Sequence, residues 1–199
     1  MTGGVIMSES LAQLQYLKHY FIHTYYVVLA WKVLRKVLWE RSMITEKEFE
    51  IINNRIAHHD ESKIEKEEFF PYAERFYGER KEDETVKRAF KTAVTRHKAN
   101  NLHHYESLRF YFGKDWKCYI IELVCDYIAM GWESNNYILE YYEVAKNKID
   151  LPEGYKEYLE IILDIIRSTP ELQIFERPLT TRDITLIDFV EPDFTLHLN

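Results

Sequence analysis

The chain has 199 residues, of which 46% are hydrophobic, 15% aromatic and 30% charged, with a formal net charge of −7 at neutral pH. These proportions fit one globular domain with its own core and exclude a disordered chain. The acidic balance argues against general binding to nucleic-acid backbones.

Residues 1–9, with Gly3 and Gly4, read as a flexible lead-in. They lack the basic start and apolar run of a secretory signal. No stretch reaches the roughly 18 apolar residues of a membrane span, so a cytoplasmic protein without a membrane partner is expected.

Residues 10–40 contain no Gly or Pro, and Leu14, Leu17, Phe21, Val28, Trp31 and Leu34 form an apolar stripe, so a long helix is predicted. Thr45 and Glu48 have capping-box spacing and start a second helix that runs to about His59, with Phe49, Ile52 and Ile56 inward. Ser62 and Glu65 repeat that spacing, so the chain restarts as a short helix that Pro71 and Gly78 break up. Residues 84–96 form a further helix with Val86, Phe90 and Ala93 inward, and polar residues 98–106 read as a loop. Helices are predicted over 116–132, 135–147 and 154–168. Cys118 and Cys125 share the first of these about 10 Å apart, which suits two reduced, buried thiols better than a disulfide. After Pro170 the periodicity shifts toward two, in 184–189 and 194–198, so residues 169–199 read as an extended arm or hairpin able to join two copies of the chain. The expected fold is therefore all-α over residues 10–168, with a short extended or β C-terminal arm.

Helical spacing then selects among the polar residues. Ile52, Ile56, His59 and Asp60 continue one face, while His58 points away. His97 follows Val86, Phe90 and Ala93, and Asp126 lies between Leu123 and Met130 on an apolar stripe. His23 falls on a face with Tyr16, Tyr20, Val27 and Ala30, which His19 can share; Glu122 lies one turn before Asp126. His103 and His104 are not separable by this reasoning. A single inward histidine is usually a hydrogen-bonded core residue. Several inward imidazoles and carboxylates together are costly without a partner, and a divalent metal satisfies them at once.

The order His23, His59-Asp60, Asp126 resembles the signature of the HD-domain superfamily of metal-dependent phosphohydrolases. His97 and His103 or His104 resemble the added histidines of its two-metal branches, and Lys63 matches an HD-x-x-K form. The stretch from His59 to Phe69, with Tyr72-Ala73 and Phe76-Tyr77-Gly78, is also similar to an uncharacterised family from bacteria and their phages, as are His97-Lys98 to His103-His104 and Cys125 to Met130. The resemblance covers residues 15–147 and implies an HD-like helical bundle. In one departure, His97 lies closer to His103 and His104 than the corresponding histidines usually do, which bears on the second metal.

The resemblance implies that His23, His59, Asp60 and Asp126 hold a first metal (Mn, Fe, Co, Ni or Zn). Asp60 would bridge to a second ion completed by His97 and His103 or His104, unless these face the substrate. It implies hydrolysis of a nucleotide or other small phosphate ester by a metal-bound hydroxide. Lys63 is the expected phosphate-facing cation, ahead of Arg96 and Lys98, and Glu122 is either a general base or an acceptor fixing an imidazole tautomer. Tyr16, Tyr20, Phe69, Tyr72 and Tyr127 are expected as cavity walls. Two alternatives stand beside this: a two-iron oxygenase of the same fold, and a non-catalytic binding or structural module.

Overall fold

The computed structural model describes residues 3–189, with side chains placed from Glu9 to Asp188. Among these residues all regular structure is helical: α1 (Gly3–Glu40), α2 (Glu46–Ala57), α3 (Lys66–Tyr77), α4 (Glu84–Asn100), α5 (Tyr105–Leu108), α6 (Trp116–Ser134), α7 (Ile138–Ala145), α8 (Glu153–Ser168) and α9 (Thr181–Phe189), with 3-10 turns at Glu61–Ile64 and Pro170–Glu176. No described helix is long and apolar enough to cross a membrane.

α6 is the axis of the molecule. Every residue from Cys118 to Ala129 is buried, a helix apolar nearly all round, which requires neighbours on all sides. α1, α2 and α8 pack against it. Leu34 and Leu38 of α1, Ile52 of α2, Ile120, Leu123 and Ile128 of α6, and Leu159 of α8 are fully buried there. Each such side chain contributes about 1.5–3 kcal/mol of burial. α3 lies against α1 and α4 against α3, and the three make a second, smaller cluster of Tyr16, Tyr72, Ala73 and Ala93. On α1, His23 sits between Tyr16 of the small cluster and Val27 of the large one. The polar site occupies this seam.

The capping box of α2 forms as expected: Glu48 N donates to Thr45 Oγ1 at 3.3 Å, and Thr45 N donates to Glu48 Oε2 at 2.8 Å. Both cysteines are buried and unpaired.

Several expectations are corrected. α1 is helical from Gly3, about two turns before residue 10. Its inward face carries Tyr16, His23, Val27 and Ala30, while Leu14 and Phe21 are exposed. In the first half of α1 the face bearing the histidine turns inward because α3 and α6 meet it, while Trp31 and Leu34 of the predicted stripe are buried in the second half. α2 ends at Ala57, so His59 and Asp60 sit in the turn beyond it, and Asp60 adopts a left-handed backbone with φ 59°. Ser62 does not cap a helix; its hydroxyl goes to Glu68, and Glu65 precedes α3 instead. α3 runs through Pro71 to Tyr77, with Gly78 as its C-cap, and α4 continues to Asn100. The C-terminal arm is not extended where it is described. Residues 170–176 form a 3-10 turn whose Leu172 and Phe175 are fully buried, and α9 folds back on α1, with Asp188 bonded to Tyr25 and Lys32. The second predicted extended stretch, residues 194–198, lies outside the described residues.

Candidate metal centre

Five imidazoles and two carboxylates meet in the seam. His23 comes from α1, His59 and Asp60 from the turn after α2, His97 from α4, His103 and His104 from the turn before α5, and Asp126 from α6. All except the half-buried His104 are buried.

Asp60 is central. Its Oδ1 lies 3.1 Å from His97 Nε2 and 3.4 Å from His103 Nε2. Its Oδ2 lies 3.6 Å from His23 Nε2 and 3.5 Å from His59 Nε2. Asp126 Oδ1 is 3.2 Å from His23 Nε2 and 3.8 Å from His59 Nε2. Besides the group of His59, His103 and Glu122 on the Nδ1 side of the rings, two ligand sets result, His23, His59 and Asp126 on one side and Asp60, His97, His103 and His104 on the other, each with donor atoms within 4.8 Å of one another. Asp60 faces both.

The back of each ring explains this orientation. His23 Nδ1 is 2.9 Å from Glu133 Oε1, His59 Nδ1 is 3.0 Å from Glu122 Oε1, and His97 Nδ1 is 3.0 Å from Glu68 Oε2. An ionised carboxylate only accepts, so each imidazole donates from Nδ1 and turns Nε2 inward. None of the Nε2 atoms of His23, His59, His97, His103 or His104 has a hydrogen-bond partner, and neither has Asp60 Oδ1. They lie near carboxylate oxygens without aligning on any of them. Buried polar atoms are rarely left so. Convergent lone pairs of imidazole and carboxylate fit a divalent transition metal, whereas calcium or magnesium takes shells of oxygen.

The electrostatics agree. Burial alone would push the acids up and the imidazoles down. Instead His59, Lys63, His103 and His97 hold Asp60 well below the usual carboxylate range, and His23 and His59 do the same for Asp126. Against its burial, Asp60, Asp126 and Glu122 raise His59 to about 10. His104 is the exception: burial and the neighbouring His103 press it down to about 2, leaving it neutral.

A cavity of about 520 Å³ opens onto the cluster, bordered by His23, His97, His104 and Asp126 and walled by Tyr16, Tyr20, Tyr72 and Phe76. Lys63 lines it with its ammonium on Asp60 Oδ2 and 5.9 Å above the Tyr72 ring. Lys98 stands at its border, paired with Glu106.

The expected site residues His23, His59, Asp60, Lys63, His97, His103, His104, Glu122 and Asp126 are thus brought together. Glu122 has the geometry of the acceptor and not of a base, since it lies behind the imidazoles, held by Arg55, and does not border the cavity. Arg96 faces Glu65 and Glu68 instead of the cavity. Phe69 packs behind Tyr16, and Tyr127 packs on Tyr141, one helical step away from the Asp126 face. His58 is exposed and bonded to Asn54 O. Sequence reasoning missed Glu68 and Glu133. Glu133 had a signal, because it lies seven residues after Asp126 on the same helical face. Glu68 lies among the adjacent acids Glu67 and Glu68, with nothing local to set it apart.

Fold and site together define an all-α protein with a buried cluster of histidines and acids able to hold metal ions. Residues 13–168 match a family of unknown function, DUF5662, and the chain belongs to that family. The match runs from α1 through α8 and contains every residue of the cluster. No curated protein and no solved structure matches the chain.

Proposed function

We propose that this protein is a metal-dependent phosphohydrolase of the HD type acting on a small phosphate ester, with nucleotides the leading class. The observation that carries the reading is Asp60 placed between two sets of imidazoles whose Nε2 atoms have no other partner. His23, His59, Asp60 and Asp126 would hold one ion, and Asp60, His97, His103 and His104 a second. A bound ion supplies Lewis acidity, making water more acidic and offsetting charge on the phosphoryl oxygens.

The chain's own residues supply the rest. Lys63 presents a cation to a phosphoryl oxygen from the cavity side of Asp60. The rings of Tyr16, Tyr20, Tyr72 and Phe76 exclude water and offer faces to the organic group of the ester. Glu68, Glu122 and Glu133 hold the imidazole tautomers. His104, neutral and bordering the cavity, is able to bind an ion or to hold a proton beside the leaving oxygen.

The test is phosphate release from a panel of nucleotides and phosphate esters by protein loaded in turn with Mn, Fe, Co, Ni and Zn. Release that disappears in Asp60→Ala is expected. Metal-loaded protein that hydrolyses no member of the panel would overturn the reading. The nitrogen-rich donor set also suits a pair of irons, the observation behind a second reading as an oxygenase; substrate-dependent oxygen uptake by the iron form, without phosphate release, would select it.

A further inference from the structure

We propose that Arg55 is a positioning residue that ties the two ion positions together through Glu122. The inference rests on the metal-centre reading above and adds a link between its halves. His23 and His97 each have a carboxylate of their own, Glu133 and Glu68. His59 and His103 face the same one: Glu122 Oε1 accepts from His59 Nδ1 at 3.0 Å and lies 3.1 Å from His103 Nδ1, an ion-pair contact without hydrogen-bond alignment. His59 belongs to the set with Asp126, and His103 to the set with His97. A single oxygen atom therefore bonds to one ligand of the first set and faces one ligand of the second at ion-pair distance.

That oxygen is fixed from the other side. Glu122 Oε2 accepts from Arg55 Nε at 2.6 Å. The Arg55 guanidinium in turn lies 3.6 Å over the ring of Tyr119, a buried side chain that stacks edge-on against Tyr111. Arg55 sits in the last turn of α2, four residues before His59, so the helix that delivers one ligand also carries the clamp. The planar guanidinium suits this double role, a hydrogen bond in its plane and an aromatic face against its flat side.

Without Arg55, Oε2 is a buried acceptor with no partner, and such a group rotates or takes up a proton to recover one. Either movement withdraws Oε1 from the point where it serves both rings. Removing Arg55 therefore loosens both ion positions, although Arg55 touches neither set of ligands. Removing Glu133 loosens only the side of His23.

The experiment is calorimetric titration of metal-stripped protein with Mn²⁺ or Zn²⁺, with circular dichroism to confirm folding. Wild-type protein is expected to take up two ions, and Arg55→Met to bind both more weakly by roughly 10-fold or more, the usual consequence of losing an outer partner of a metal ligand. Glu133→Gln should weaken one ion only. Arg55→Lys, which keeps a cation without the planar fork, should weaken both by less, and it gives the same reading if Arg55→Met does not fold. A purely structural Arg55 would lower the melting temperature of the metal-free protein and leave both affinities of the folded protein unchanged; that result, or weakening of a single ion, overturns the link. Wild-type protein that binds one ion also overturns it while the metal centre stands. Wild-type protein that binds none removes the centre itself.

Discussion

At Asp60 the backbone and the chemistry meet. Its φ of 59° is left-handed, a conformation that costs most side chains about 1–2 kcal/mol and that aspartate is among the few residues to tolerate. The turn aims the carboxylate back between the two imidazole sets. Asp60→Gly and Asp60→Ala should both abolish metal binding, because both lack the bridging oxygens. Glycine relieves the backbone where alanine strains it, so in thermal melts of metal-free protein the Gly variant should be the more stable by about 1 kcal/mol. Equal melting temperatures would mean that the turn stores no strain.

Asp126→Asn separates a ligand from a structural acid. As a ligand, its loss lowers metal affinity and leaves the fold intact. As a structural acid, the same change lowers stability and leaves metal content alone. Proton competition sets the sign of the pH dependence. His59 is held up to about 10 by its acidic neighbours and is protonated at neutral pH without metal. An ion needs the Nε2 lone pair and must displace that proton. Metal affinity should therefore rise with pH from 6 to 9, with protons released in calorimetry. In metal-free protein the sign reverses: a raised imidazole stabilises fully below its unfolded value near 6.5, and that contribution fades as pH climbs toward 10. An affinity flat over that range, with no proton release, would contradict the protonated cluster.

Helical spacing made His23, His97 and Asp126 legible, since each falls on a helical face that carries buried apolar residues, whereas His59 and Asp60 were extrapolated from Ile52 and Ile56 past the end of α2 and sit in a turn. His103 and His104 lie outside regular helix, and only the assembled turn distinguishes the buried His103 from the half-buried His104. Glu68 was illegible because its partner His97 is remote in sequence, and the pairing exists only once α3 packs on α4.

At the level of elements, the capping box of α2 is independent of the site. Thr45→Ala should cost about 1 kcal/mol in denaturant melts and change metal content not at all. A loss of metal in that variant would show that the pitch of α2 governs the position of His59. α9 teaches a different lesson. The alternation in residues 184–189 suggested a strand, but Thr180 and Asp183 form a capping box: Asp183 N donates to Thr180 Oγ1 at 3.2 Å and Thr180 N to Asp183 Oδ2 at 2.9 Å. The Thr-x-x-Asp spacing was in the sequence and is a stronger signal than three alternating positions. Because Leu172 and Phe175 are fully buried, truncation at residue 170 would test folding and not assembly.

At the scale of the whole molecule, the two apolar clusters leave a seam between them, and the seam holds the charge. The all-α class and the order of its helices were legible because 3.6-residue periodicity is local. On α1 the spacing offered two faces, one with Leu14 and Phe21 and one with Tyr16 and His23, and only the packing of α3 and α6 selects the second over the first half of the helix. Metal binding to the native state alone should raise the melting temperature, with about 2.7 kcal/mol gained when free metal stands at 100 times its dissociation constant. The most direct measurement is metal content per chain, by mass spectrometry, of the purified wild-type protein beside His58→Ala and His59→Ala. The account predicts bound transition metal in the wild type, the same amount in His58→Ala and a loss in His59→Ala; wild-type protein that is metal-free and rejects added Mn, Fe, Co, Ni and Zn, or a site emptied by His58→Ala and not by His59→Ala, would contradict it.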